Sequence, residues 1–214
     1  MRRKNFAIAI GLLAAFALWT FTVCFVDVQP IGPQGSSVGL AYLNQCVHNL
    51  TGTHFLLYEI TDWLGLVPFA VCMGFGILGL AQWIRRKQIS KVDFDILVLG
   101  GFYIATIAAY LLFENLVINY RPVLINEVLE VSYPSSTTLL TMCVMPTAAM
   151  QLNMRIKNVV FRRCVVCSVW IFTAFMVIGR TLSGVHWITD IIGGALLSAE
   201  LVMMYRVITE QSRL

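Results

Sequence analysis

The sequence predicts an all-α, polytopic membrane protein with six transmembrane helices in one bundle, and three observations carry that prediction. Of its 214 residues, 58% are hydrophobic and only 12% charged, about half the charged fraction of an ordinary soluble domain. Six segments stay apolar for about 20 residues, the length needed to cross a hydrocarbon core roughly 30 Å thick. None alternates apolar and polar residues as a barrel strand does, so helices must satisfy the backbone in lipid.

The first helix is expected over residues 6–26, after the basic run Arg2, Arg3 and Lys4. Its apolar run exceeds the roughly 7 to 15 residues of a secretory signal core and reads as an uncleaved anchor. Residues 27–62 form an outer loop, in which "LAYLNQCVHNL" and "HFLLYEI" read as interfacial amphipathic stretches that shape lipid entry. The second helix, 63–84, carries Gly74, Gly76 and Gly79, small residues that let helices approach closely. The third is expected over 95–113 and the fourth over 136–154, opening on Ser135 and Ser136, which suit an N-cap. The fifth, 164–182, and the sixth, 187–207, complete the set, with Gly193 and Gly194 as a further small-residue pair. No repeat, linker or low-complexity segment divides the chain, which reads as one domain over 1–214.

Basic residues fix the orientation. Arg2, Arg3, Lys4, Arg85, Arg86, Lys87, Lys91, Arg155, Lys157, Arg162, Arg163, Arg206 and Arg213 all fall on one side of the six-helix scheme. The positive-inside rule makes that side cytoplasmic and puts both termini there, in a multi-pass protein of the cell membrane. Only Arg121 and Arg180 oppose the bias, and a bound anion at the outer face accounts for them. The net charge of +4 therefore reflects topology, and no basic patch interleaved with aromatics points to nucleic acid. The six cysteines are scattered, with only Cys46 in an outer loop, which argues against a disulfide framework. Cys164 and Cys167 lack the second ligand pair of a zinc site and read as helix packing.

Three outer features converge: "ENLVINYRPVL" with Arg121 and Pro122, "SYPSSTTLL" with Pro134 to Thr137, and "GRTLSGVHWITD" with Arg180, His186 and Asp190. On a helix, His186 and Asp190 share a face, and the carboxylate can fix the imidazole tautomer and stabilise its cation. Two guanidinium groups offer planar donors for phosphate oxygens, and a helix start at Ser135 or Ser136 offers backbone N–H groups. Taken singly, each has a bland role: an N-cap, a snorkelling arginine, an aspartate serving a helix dipole. Together, at one face, they describe a phosphoryl-transfer site. A serine protease centred on Ser183 lacks a second helical histidine, and His48 with His54 lacks the carboxylates of a metal site. Asn49-Leu50-Thr51 matches a glycosylation acceptor, meaningful only in a eukaryotic secretory setting.

These residues resemble a known family. Arg180, His186 and Asp190 are spaced like the third signature, SRxxxxxHxxxD, of the type 2 phosphatidic acid phosphatases, the PAP2 or lipid phosphate phosphatase superfamily. Arg121-Pro122 resembles the end of its first signature, KxxxxxxRP, and Pro134-Ser135-Ser136 the start of its second, PSGH. The resemblance implies that His186 attacks phosphorus to form a phosphohistidine, that Asp190 orients it, and that Arg121, Arg180 and Ser135, with Ser136 beside it, bind phosphoryl oxygens. It implies no metal or other cofactor.

Three positions depart from the signatures. Glu114 stands where the first has lysine, Gly179 where the third begins with serine, and Thr137 where the second has the histidine of the general acid. A positioned general acid contributes about 10² to 10⁴ in rate, roughly 2.7 to 5.4 kcal/mol. A departing alkoxide needs that proton, whereas a departing phosphate, with a pKa of about 6, scarcely does. The expected activity is therefore hydrolysis of a lipid-linked phosphate or diphosphate, such as phosphatidic acid or a polyprenyl diphosphate, with the diphosphate favoured. Glu114, if protonated, can supply the missing proton. The alternative expectation is a catalytically impaired relative that binds or transports a phospholipid.

Overall fold

The computed structural model describes residues 2–211, and among them the regular structure is helical, with isolated bridges in place of strands. Eight α-helices follow one another: α1 (Arg2–Phe25), α2 (Ala41–Thr51), α3 (Phe55–Leu64), α4 (Leu66–Arg86), α5 (Phe94–Asn115), α6 (Ser136–Arg155), α7 (Val159–Leu182) and α8 (Ile188–Gln211). Arg213 lies outside the described residues.

Five stretches are long and apolar enough to cross a membrane: α1, α3 with α4, α5, α7 and α8. The sixth spanning helix is α6, of 20 residues, which packs against α4, α5, α7 and α8. Because protein surrounds it, α6 can bury polar side chains such as Thr141, Thr147 and Gln151. Thr147 donates to the Cys143 carbonyl at 2.8 Å and Gln151 to the Tyr205 hydroxyl at 2.7 Å, so neither is left unsatisfied. The outer surfaces show the reverse pattern. Leu18 and Phe21 on α1, Met73 and Ile77 on α4, Ile104 on α5 and Ile171 on α7 are all more than half exposed, a lipid-facing belt.

The two amphipathic stretches of the first loop are the short helices α2 and α3. Each buries one small polar side chain, Asn44 or Thr61, and exposes large apolar ones such as Leu50, Leu56 and Trp63. Gly65, itself in right-handed helical conformation, links α3 to α4, its N–H accepted by the Thr61 and Asp62 carbonyls at 3.0 Å. The fifth spanning helix begins at Val159 and not at 164, because Asn158 caps it by accepting from the Phe161 N–H at 3.0 Å. Arg162 and Arg163 in its first turns hide that start in the hydropathy pattern.

The basic helix ends gather at one end of the bundle. Asp93, before α5, pairs with Arg86 from α4 at 2.8 Å and with Arg155 from α6 at 3.2 Å. Asn5 on α1 donates to Glu210 on α8 at 2.9 Å. At the opposite end, Gly193 on α8 admits the Tyr133 ring, since a Cβ there would lie 2.6 Å from Tyr133 Cε2. Gly184 (φ +65°) lies against the backbone of Gly52, and His54 N–H donates to the Ser183 carbonyl at 2.9 Å, which pins the loop carrying His186. Gly74 and Gly76, expected to bring helices together, face open space instead.

Candidate functional site

Arg180, in the last turn of α7, is 1% exposed. Its Nη1 donates to the Tyr58 carbonyl at 3.3 Å and to Thr61 Oγ1 at 3.1 Å, and its Nη2 to Asp62 Oδ1 at 3.0 Å. The guanidinium stacks 4.8 Å from the Tyr58 ring centroid. Helix α3 therefore holds this arginine from one side.

Arg121 sits in the α5–α6 connection, where its N–H donates to the Glu130 carbonyl at 3.0 Å beside the Tyr120–Val131 bridge. Its Nε lies 2.9 Å from Glu130 Oε2, an ion-pair contact without the alignment of a hydrogen bond. Both Nε and Nη1 are buried with no hydrogen-bond partner. Buried donors of this kind are costly unless a ligand satisfies them.

His186 lies in the loop before α8, and Asp190 in that helix's first turn, so the pair does not share a continuous helical face. Nδ1 of His186 is 3.8 Å from Asp190 Oδ2, beyond hydrogen-bond reach. Ser132 fills the gap: its Oγ is 3.0 Å from His186 Nδ1 and donates to Asp190 Oδ2. Since the carboxylate only accepts, the hydroxyl proton points to Asp190, and Ser132 Oγ accepts from Nδ1–H. That direction leaves the lone pair on Nε2, which is buried and has no partner. Asp190 is held in turn by the Trp187 N–H at 2.9 Å and Asn119 Nδ2 at 3.3 Å. Burial, and then the Arg121 and Arg180 charges, hold the His186 pKa well below its ordinary value, so the ring is neutral.

His186, Arg121, Ser132 and Ser136 line a cavity of about 400 Å³, with Tyr58, Asp62, Tyr110, Glu114 and Glu130 around them. Arg180 lies just behind Tyr58 and Asp62, and Asp190 behind Ser132. Ser135 is fully buried and caps α6, its Oγ accepting from the Thr138 N–H at 3.4 Å while its own N–H donates to the Asp190 carbonyl at 3.0 Å. Thr137 opens instead onto a neighbouring depression with Asp62 and Tyr110. Glu114 is exposed at the cavity mouth. Among the described residues, no three His, Cys, Asp or Glu side chains gather closely enough to hold a metal ion.

Five residues of this site escape the sequence reading: Ser132, Asn119, Tyr58, Asp62 and Glu130. Ser132 and Asn119 lie within the two stretches that also supply Pro134 and Arg121, and that adjacency is the one signal they leave. Asp62 and Glu130 become meaningful only when their arginines are seen beside them.

No curated protein matches the chain by sequence. Among solved structures, the chain is similar to a transmembrane PAP2-type phosphatidylglycerolphosphate phosphatase from Bacillus subtilis. The two share 18% identity and a TM-score of 0.63 over 95% of this chain and 96% of that one. The family model of the PAP2 superfamily matches residues 101–213, a span that contains Arg121, Ser132, Arg180, His186 and Asp190. The chain thus belongs to the PAP2 superfamily.

Proposed function

We propose that this protein is an integral membrane phosphatase that cleaves a lipid-linked phosphate or diphosphate through a phosphohistidine on His186. One observation carries the reading: the buried, unpartnered Nε2 of His186 and the buried, unpartnered Nη1 of Arg121 border one cavity. A phosphoryl group entering there satisfies the guanidinium N–H groups and the Ser136 hydroxyl, with the Arg180 charge behind. The Nε2 lone pair attacks phosphorus, and the bond to the leaving oxygen breaks. The positive charge that the ring acquires is stabilised through Ser132 by the Asp190 carboxylate. Water then attacks the phosphohistidine, releases inorganic phosphate and restores the neutral imidazole.

The lining holds no second histidine, and Thr137 lies outside it. A leaving group that needs no proton is therefore favoured, and a diphosphate supplies one. The distribution of basic residues supports an active site on the non-cytoplasmic face with both termini inside. Purified protein in detergent should release phosphate from a polyprenyl diphosphate faster than from phosphatidic acid, and His186→Ala should release none. Equal, background-level release by the parent and His186→Ala sinks the proposal.

The position of Thr137 favours a second reading, a head-group binding protein without turnover. Lipid phosphate binding that survives His186→Ala but is lost in Arg121→Ala, with no phosphate released by the parent, selects it.

A further inference from the structure

The cavity holds more negative charge than an anion site requires. Arg121, and Arg180 behind Tyr58, bring two positive charges, while Asp62, Glu114 and Glu130 bring three negative ones. A phosphate monoester adds about −1.5 to −2. Two of the carboxylates are matched, Asp62 by Arg180 at 3.0 Å and Glu130 by Arg121 at 2.9 Å. Glu114 has no ion-pair partner among the described residues. It stands in the last turn of α5, beside Tyr110, with Phe113 next to it in the cavity wall.

A carboxylate flanked by aromatic rings attracts an ammonium group, through its charge and through the ring faces. The floor of the same cavity attracts the opposite sign. Arg121 is only 8% exposed, and its Nη1 is buried there with no hydrogen-bond partner. An anion-seeking floor and a cation-seeking rim within about 400 Å³ are both satisfied by a single ligand only if that ligand carries both charges.

We infer that the ligand is an amine-bearing phosphate ester, its phosphoryl group on Arg121 and His186 and its ammonium, a few bonds away, against Glu114, Tyr110 and Phe113. For turnover the inference rests on the phosphatase reading; for binding it rests on the cavity alone. The divalent cation that often accompanies phosphate is the rival source of positive charge at Glu114.

The test uses 2-aminohexadecyl phosphate and its N-acetyl derivative, which differ in charge but share chain and phosphate. Turnover is measured with these esters, and binding with their non-hydrolysable methylenephosphonate analogues, on the purified protein in detergent with EDTA. The parent should favour the amine about tenfold, equivalent to roughly 1.4 kcal/mol. Glu114→Gln should bring the ratio within about twofold and Glu114→Lys should invert it. Because the readout is a ratio within each protein, a misfolded variant loses both probes and cannot mimic the result, and the parent's ratio decides alone if the variants do not fold. A parent ratio below about twofold, or a ratio that Glu114→Gln leaves unchanged, overturns the inference. So does an N-acetyl probe raised to the amine's level when Mg²⁺ replaces the EDTA. Amine-selective binding with no phosphate released sustains this inference and overturns the phosphatase reading; equal release from both probes does the reverse.

Discussion

Ser132 places its hydroxyl between the His186 ring and the Asp190 carboxylate, so the carboxylate acts on the imidazole through an oxygen and not by direct contact. Removing that oxygen leaves Nδ1 with an acceptor at 3.8 Å, too far to fix the tautomer. Ser132→Ala should therefore lower kcat about 10- to 100-fold, the scale on which outer hydrogen-bond partners act on a working imidazole. Ser132→Thr should restore much of the loss, and the affinity for inorganic phosphate should stay near that of the parent. An Ala variant with parental kcat would show that Ser132 only packs. Its neighbour Arg121 sets a second expectation, for pH. Burial and then the two guanidinium charges depress the His186 pKa, so the proposed nucleophile stays deprotonated well into the acidic range. The acidic limb of kcat/KM should fall well below the ordinary histidine value of about 6.5. Arg121→Gln removes a cation that opposes imidazolium, so the pKa rises and the limb moves to higher pH, alongside the loss of phosphate binding. A limb unmoved in Arg121→Gln, followed by full pH–rate profiles, would contradict this electrostatic account.

At the scale of elements, α3 matters because it holds Arg180, which α7 carries. Asp62 is half exposed whereas Arg180 is buried, so their pairing is worth less than a fully buried ion pair but leaves a stranded cation if broken. Asp62→Ala should cost about 1 to 3 kcal/mol, the range for leaving a buried donor unsatisfied, read as a lower Tm, and should raise KM as the arginine shifts. Helix α8 makes its contribution through an absence: Gly193→Ala sets a methyl 2.6 Å from the Tyr133 ring, next to Ser132. Overpacking of this kind costs about 1 to 3 kcal/mol, and activity should fall more than stability does, because the displaced ring adjoins the His186 relay. These elements were unequally legible in the sequence. The lipid-facing helices declare themselves by long apolar runs, and α6 by its caps and length, although burial in protein frees it to carry threonines and a glutamine. The early start of α7 leaves no apolar signature, since it depends on an asparagine cap before two arginines.

For the molecule as a whole, the legible part of the site is the part that opposes the membrane. Arg121 and Arg180 stand out because they alone break the bias of the other basic residues, and His186 and Asp190 because ionisable groups at an apolar boundary are costly. Asp62 could not be read, because its partner lies 118 residues away and only the folded chain joins them. The same holds for Ser132, a serine before a helix start that looks like any other until Asp190 arrives from a distance of 58 residues. The orientation proposed from the bias of the basic residues can be tested directly. Cys46, exposed on α2, lies at the end of the bundle that holds the cavity, whereas Lys87 follows α4 at the basic end. In intact cells, a membrane-impermeant maleimide should label Cys46 and should fail to label Lys87→Cys in a Cys46→Ser background until the membrane is permeabilised. Labelling of Lys87→Cys from outside, with Cys46 protected, would turn the cavity toward the cytoplasm and with it the supply of substrate. The positive-inside rule weighs against that outcome, because Arg85, Arg86, Lys87 and Lys91 would then lie together on the wrong side of one short connection.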